Sequence, residues 1–342
     1  MKQLFALLFL VSLAFFVQAQ DFETPSQYMG FISKQQQSIS KKYLGYASAS
    51  AHGKRASKVD ALREKLLDEV QEAKMNISGM PAFKTDKSYR DTAVSFMKLY
   101  YNVLNEDYAK IINMEEVSEQ SYDAMEAYML AQQLVDKKLE EASKLMQLAQ
   151  KNFAEKNNIT LLKFESDLGE MLEQVYRVND HYKQVYLIFF KPFKQEAYLL
   201  EAIGKSNITG IEQSKNSLLK YAQQGLEKIN AVKSFEGDNS LIAACKATLD
   251  FYVKEVTEKI NTVTDYYLKK EQFAAIKKEF EKKSEPTKAE VDTYNKGIND
   301  INKASEAYNS NNKYLNEARS EVLDNWNNSM NSFFSEHTPR YK

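Results

Sequence analysis

The sequence predicts an all-α protein of antiparallel helical bundles, and three observations carry that prediction. Its 342 residues include only 10 Gly and 5 Pro, under half the usual share of about 12 %, which leaves few of the turns a sheet requires. Apolar residues recur at steps of three and four through most of the chain, the period of a helix face. No segment alternates polar and apolar residues as a half-buried strand does. The spacing predicts helices at about 25–52, 55–78, 87–113, 118–156, 163–204, 208–234, 239–283 and 287–335.

Ahead of the first helix, Met1-Lys2-Gln3 leads into an apolar run from Leu4 to Val17, followed by Gln18-Ala19-Gln20 and the polar Asp21. One positive charge, an apolar core and small residues before the cut describe a secretory signal peptide over 1–19, cleaved between Ala19 and Gln20. The run is shorter than the ~20 apolar residues that span a bilayer. No Cys follows the cut, so a lipoprotein anchor has no attachment point. The expectation is an exported protein of the periplasm or outer cell surface, with no transmembrane segment after cleavage. Cys245 is the single Cys, so no intrachain disulfide can form and stability must come from packing.

Pro25 behind Thr24 suits the start of the first helix, where a missing N–H costs nothing. Val59, Leu62, Leu66, Val70, Ala73, Ile77 and Met80 make one stripe on the second. Pro81 falls between that stripe and the third helix, and Pro286 separates the last two. Tyr128, Ala131, Val135, Leu139, Ala142, Met146, Ala149 and Phe153 mark the core face of the fourth. The fifth holds Val185-Tyr186-Leu187-Ile188-Phe189-Phe190, apolar on every side and therefore expected to be buried, with Pro192 predicting a kink. The last is rich in Asn, an indifferent helix former. Its apolar set keeps helical spacing, with a weak seam at 309–312 that predicts fraying or a bend.

A shift of 152 residues aligns Leu66 with Leu218, Gln71 with Gln223, Ile77 with Ile229, Phe83 with Phe235, Asp86 with Asp238, Ser88 with Ser240 and Tyr100 with Tyr252, among 11 identities over 66–120. Such self-similarity predicts an internal duplication into two similar four-helix units. The expected division is an N-terminal helical unit at 20–162 and a C-terminal one at 163–342, either separate or packed as one elongated domain.

Residues able to carry chemistry are sparse. The three His, His52, His181 and His337, share no spacing, and neither Glu-x-x-His nor His-x-x-x-His occurs. No nucleophile elbow, phosphate loop or dinucleotide fingerprint is present, so no catalytic residue, cofactor or metal site is assigned. A formal net charge of −1 with both signs interspersed gives no footprint for nucleic acid. Cys245 among Leu241, Ala244 and Leu249 reads as a buried small hydrophobe. Two constellations stand out. Tyr182, Tyr186, Phe189, Phe190, Phe193 and Tyr198 form either core or, opened at Pro192, an aromatic pocket for a small ligand. Tyr100, Tyr101, Asn105, Glu106 and Asp107 place hydroxyls, an amide and two carboxylates within two helical turns, a polar network if buried.

Tyr28-Met29-Gly30-Phe31-Ile32-Ser33, the stretch from Leu99 to Tyr108, Glu119-Gln120-Ser121-Tyr122-Asp123-Ala124 and Phe189-Phe190-Lys191 resemble a family of exported bacterial surface proteins, chiefly of Bacteroidota and spirochaetes, to which no activity is assigned. The resemblance implies a Gram-negative source and an envelope or surface location. With such a source, Asp91-Thr92-Ala93 looks like an O-glycosylation acceptor, with Thr92 carrying the sugar. The function expected is a non-enzymatic binding or scaffolding module for an envelope protein or glycan. The alternative is a periplasmic small-molecule binder using residues 182–198.

Overall fold

A computed structural model describes residues 22–112, 122–161 and 167–341, with the side chains of 106–136 excepted. The predicted leader and its Ala19–Gln20 cleavage site lie outside the described residues. Among those described, the chain is helical with no strand. Its helices are α1 (Pro25–Ala51), α2 (Ala56–Ser78), α3 (Ser88–Ile112), α4 (Tyr122–Lys156), α5 (Asp167–Gly204), α6 (Ile208–Ile229), α7 (Ser240–Lys254), α8 (Ile260–Glu281) and α9 (Lys288–His337). A single π turn, Glu255–Lys259, joins α7 to α8, so the two continue as one rod. No helix among the described residues is long and apolar enough to cross a membrane.

The contacts form two compact units. The first holds the chain up to Ile39, Leu67–Asn105 and Val135–Lys163; the second holds Ser40–Leu66, Glu106–Leu134 and Phe164–Lys342. In the first unit the stripe of α2 is core: Val70, Ala73, Ile77 and Met80 are all buried, as are Met146 and Phe153 of α4. In the second, α6 packs along α5, and α9 packs along α7 and α8. One part of that core gathers Leu199, Ile211, Leu218, Tyr252, Val256, Ile260 and Leu315. The other gathers Val178, Val185, Phe189, Cys245, Leu249, Trp326 and Phe333. The backbone N–H of Tyr341 donates to Ser48 Oγ at 3.0 Å, which ties the end of the chain to the last turn of α1 in this unit.

The predicted weak seam at 309–312 is not a break. α9 runs continuously for 50 residues, and Asn311 Nδ2 donates to the Lys259 carbonyl at 3.1 Å. That carbonyl closes the π turn, where the usual helical register is interrupted, so this Asn serves the neighbouring rod. α5 likewise continues through Pro192, with Val185, Phe189 and Phe190 buried but Tyr186, Leu187 and Ile188 only half-buried.

The start of α9 carries a capping box: Thr287 Oγ1 accepts from the Glu290 N–H, and Glu290 answers to the Thr287 N–H at 2.8 Å. Glu290 also pairs with Lys283, so the α8–α9 turn is fastened from both sides. Thr287→Ala is expected to cost about 1 kcal/mol locally. Amide exchange at 288–292 should accelerate while that of α5 and α6 stays unchanged.

Candidate functional site

Three charged side chains meet inside the second unit. Arg319 on α9 pairs through Nε with Glu196 on α5, and through Nη2 with Glu255, the first residue of the π turn, at 2.6 Å. The Glu196 side chain is 3 % exposed, Glu255 0 % and Arg319 13 %. Asn316 Oδ1 accepts from Arg319 Nη1 at 2.9 Å, and the ring of Phe251 lies 6.0 Å from the guanidinium. Tyr252 is fully buried beside Glu196, with its hydroxyl out of hydrogen-bond geometry, and Glu255 Oε2 has no donor.

Two carboxylates and one guanidinium in an apolar core cannot all remain charged cheaply. Burial, then the charge of Glu196, pushes the Glu255 carboxyl up to about 8, offset in part by Arg319. Burial also raises Glu196, against the pull of Arg319. The arrangement at neutral pH is therefore one Arg cation, one Glu anion and one protonated carboxyl. The three groups tie α5, the π turn and α9 together.

The second constellation is the turn that leads into α3 and its counterpart that leads into α7. Phe83 and Asp86 exchange two backbone hydrogen bonds of 3.0 and 2.9 Å, and Phe235 and Asp238 do the same at 3.0 and 2.8 Å. Lys84 and Thr85 take the left-handed conformation in the first turn, Glu236 and Gly237 in the second. Asp86 Oδ1 accepts from Ser88 N and Oγ, and Asp238 from Ser240 N and Oγ, capping α3 and α7. A side chain from the end of the last helix of each unit completes the turn: Lys156 Nζ lies 2.9 Å from Asp86, and His337 Nε2 lies 2.8 Å from Asp238. The Ser88 and Lys156 bonds hold the Asp86 carboxyl at about 2.

Asp238, Glu336 and His337 bring their ligand atoms within 4.8 Å of one another and could hold a cation. Doing so would take Asp238 from Ser240 and His337, and Lys156 fills the same role in the first unit with no metal-binding capacity. The group reads as a structural latch.

His181 is 9 % exposed, its ring 5.4 Å from both Phe235 and Phe333. Burial lowers its pKa, so it is neutral at pH 7. It faces a groove of about 520 Å3 between α5 and the turn after α6, bordered also by Tyr176, Asp180, Lys228, Lys233 and Phe235.

The aromatic residues singled out in the sequence lie one step further along α5 and pack on each other. Tyr182 stacks on Tyr186 at 5.4 Å and Tyr186 on Phe190 at 5.6 Å, while Phe189 lies flat on Trp326 at 4.1 Å and stacks on Phe193 at 5.4 Å. The Tyr182 hydroxyl meets Met330 Sδ at 3.4 Å, and Lys194 sits over the Tyr198 ring. Tyr182 and Phe189 pack on α9 through Phe334 and Trp326, and none of the six borders the groove. Tyr100 is half-buried and stacked on Phe96, Tyr101 is half-buried and Asn105 exposed; the side chains of Glu106 and Asp107 lie outside the described residues. Thr92 is half-buried and donates to the Ser88 carbonyl at 2.8 Å. Cys245 is buried, and burial pushes its thiol up to about 12, as befits a core residue.

No family model, curated protein or solved structure matches the chain.

Proposed function

We propose that the protein is a non-enzymatic helical binding or scaffolding module of the cell envelope or surface. The observation that carries this reading is the α8–α9 hairpin. Between residues 268 and 303 only Gly297 is buried. One seam holds the two helices together, with Phe280 on Tyr294 at 4.4 Å and Phe273 on Tyr294 at 5.7 Å. Gly297 is where Phe273 crosses closest, since a Cβ there would meet its ring at 2.9 Å. The remaining faces are solvated, and Leu268 and Val291 stand exposed on them at 43 % and 37 %. A narrow two-helix arm of this kind offers long helix faces to a macromolecular partner. Export is supported by the leader at 1–19 and by the resemblance to bacterial surface proteins.

The same reading includes an internal duplication of a four-helix unit. In its support, α2 and α6 begin 152 residues apart, at Ala56 and Ile208, and α3 and α7 begin 152 apart, at Ser88 and Ser240. The two Phe-x-x-Asp turns share their hydrogen bonds and their left-handed residues. Phe153 and Phe333 approach these turns alike, 5.5 Å from Phe83 and 5.3 Å from Phe235. The small-molecule alternative at 182–198 has less support, because those rings are spent on Trp326 and on each other.

The test is retention from Gram-negative envelope extracts on the immobilised full chain and on a Leu268→Glu/Val291→Glu variant. At least one component should bind the wild type and lose roughly tenfold in affinity on the variant, whose circular dichroism should be unchanged. Equal retention by both, or by neither, overturns the reading.

A further inference from the structure

In each unit one ring lies between the Phe of the turn and a Phe of the last helix, Tyr28 in the first and His181 in the second. Tyr28 sits 5.4 Å from Phe83 and 5.3 Å from Phe153, and its hydroxyl donates to the Pro81 carbonyl at 3.1 Å. Its polar group is thereby satisfied within the fold. His181 sits 5.4 Å from both Phe235 and Phe333, yet among the described residues neither ring nitrogen has a hydrogen-bond partner. A side chain more than nine-tenths buried rarely leaves its polar atoms without a partner. The neutral imidazole offers one donor and one acceptor, and the space it borders is the groove of about 520 Å3.

The walls of that groove are polar along their length. On α5, Tyr176, Asp180 and Gln184 recur at every fourth residue, all exposed, and form one ridge roughly 12 Å long. Tyr176 is 66 % exposed, with no ring stacked on it among the described residues. Gln184 Nε2 donates to Asp180 Oδ2 at 2.9 Å, which leaves the other carboxylate oxygen able to accept. On the side of α6 and its turn, Lys228 and Lys233 have no ion pair among the described residues, whereas Arg177 is engaged by Glu236 at 2.9 Å.

This mixture of groups selects among ligands. An apolar molecule would leave the imidazole and the carboxylate without partners. A bare carboxylate or sulfate accepts and cannot donate, so it would serve the lysines but meet Asp180 as a like charge. A saturated ring that carries hydroxyls and one carboxylate suits all of them. Its hydroxyls donate to Asp180 and exchange hydrogen bonds with His181, its carboxylate meets the two ammonium groups, and its C–H face lies on Tyr176.

We propose that this groove binds a sugar acid, a uronate either free or at the end of a glycan chain. The inference uses no residue of the α8–α9 hairpin, so its failure leaves that reading standing, and failure of the hairpin variant to lose its partner leaves this one standing.

The test is a proton NMR titration of the full chain with D-galacturonate at fixed pH and ionic strength, following the imidazole C–H signals of His181, assigned by their loss in His181→Gln. Those signals should move saturably, with galactose and acetate each binding about tenfold more weakly. Digalacturonate separates the two sources: about tenfold tighter binding than the monomer points to a chain end, and equal binding to the free acid. Tyr176→Ala, at an exposed position, should weaken galacturonate about fivefold and leave acetate unchanged. Lys228→Gln/Lys233→Gln should weaken galacturonate about fivefold and leave galactose unchanged. No movement of His181 at millimolar galacturonate overturns the proposal, as does acetate acting as strongly as galacturonate, which would make the groove a plain anion site. Undiminished galacturonate binding in both folded variants overturns it as well.

Discussion

Arg319→Ala is expected to destabilise the second unit by about 3–5 kcal/mol, because it strips the counter-charge from two buried carboxylates. Arg319 reaches Glu196 on α5 and Glu255 at the π turn at once, and both acids are essentially closed to water. Its planar fork suits two carboxylates, so Arg319→Lys should recover only part of the loss. Loss of the cation also favours protonation of both acids, so the penalty should be smaller at pH 5 than at pH 8. Urea unfolding followed by the fluorescence of Trp326 reads this directly, since it is the single Trp and is buried in the same unit. A change below about 1 kcal/mol would mean that water reaches the cluster and that the pairing behaves as a surface ion pair. Replacing all three residues by apolar ones of similar volume should be close to neutral or stabilising, since the net contribution of a buried triad to stability is small even where breaking it is costly.

The helices and their inward faces were legible because periodicity is a local signal. Val70, Ile77, Met146 and Phe153 lie where their stripes put them, and Pro81 and Pro286 fall between helices. The turn was partly legible, as Phe83, Asp86 and Ser88 recur at Phe235, Asp238 and Ser240; their pairing into a closed turn was not, because it depends on the left-handed residues between them. The charged cluster left a trace that spacing alone reveals. Glu196 continues the stripe of Val185, Phe189 and Leu199, Glu255 follows Thr248 and Tyr252, and Arg319 follows Leu315. A charge on an apolar stripe demands a partner, but that partner lies on a helix 64 or 123 residues away. The π turn was hidden for a related reason: one extra residue shifts the phase of the stripe without breaking it. The aromatic run of α5 left core and pocket both open, since ring content cannot tell a pocket from a stack, and the Trp326 that stacks on Phe189 lies 137 residues further along the chain.

Glu255 sets the pH response of the second unit. In the folded chain its carboxyl holds its proton to about pH 8, against 4.5 for the free side chain. Between those values the folded state binds a proton that the unfolded state has released, so stability falls as pH rises from 4.5 to 8 and levels off above. Each tenfold difference in proton affinity corresponds to about 1.4 kcal/mol, which puts the fall on the order of a few kcal/mol. His181 opposes this over part of the range: burial lowers its pKa, so the folded state sheds that proton early and gains stability as pH rises toward 6.5. The opposing contribution ends there, and the decline above pH 6.5 belongs to the buried acids, Glu255 with Glu196 raised in the same direction. Glu255→Gln keeps a neutral, hydrogen-bonding side chain of the same shape beside Glu196 and Arg319. It should match the wild type at pH 4.5, exceed it by roughly 2–4 kcal/mol at pH 8.5, and flatten the profile between. Wild-type stability that stays level from pH 6.5 to 8.5, or a Gln variant that is weaker at pH 8.5, would show that Glu255 is ionised in the fold and that Arg319 neutralises both acids.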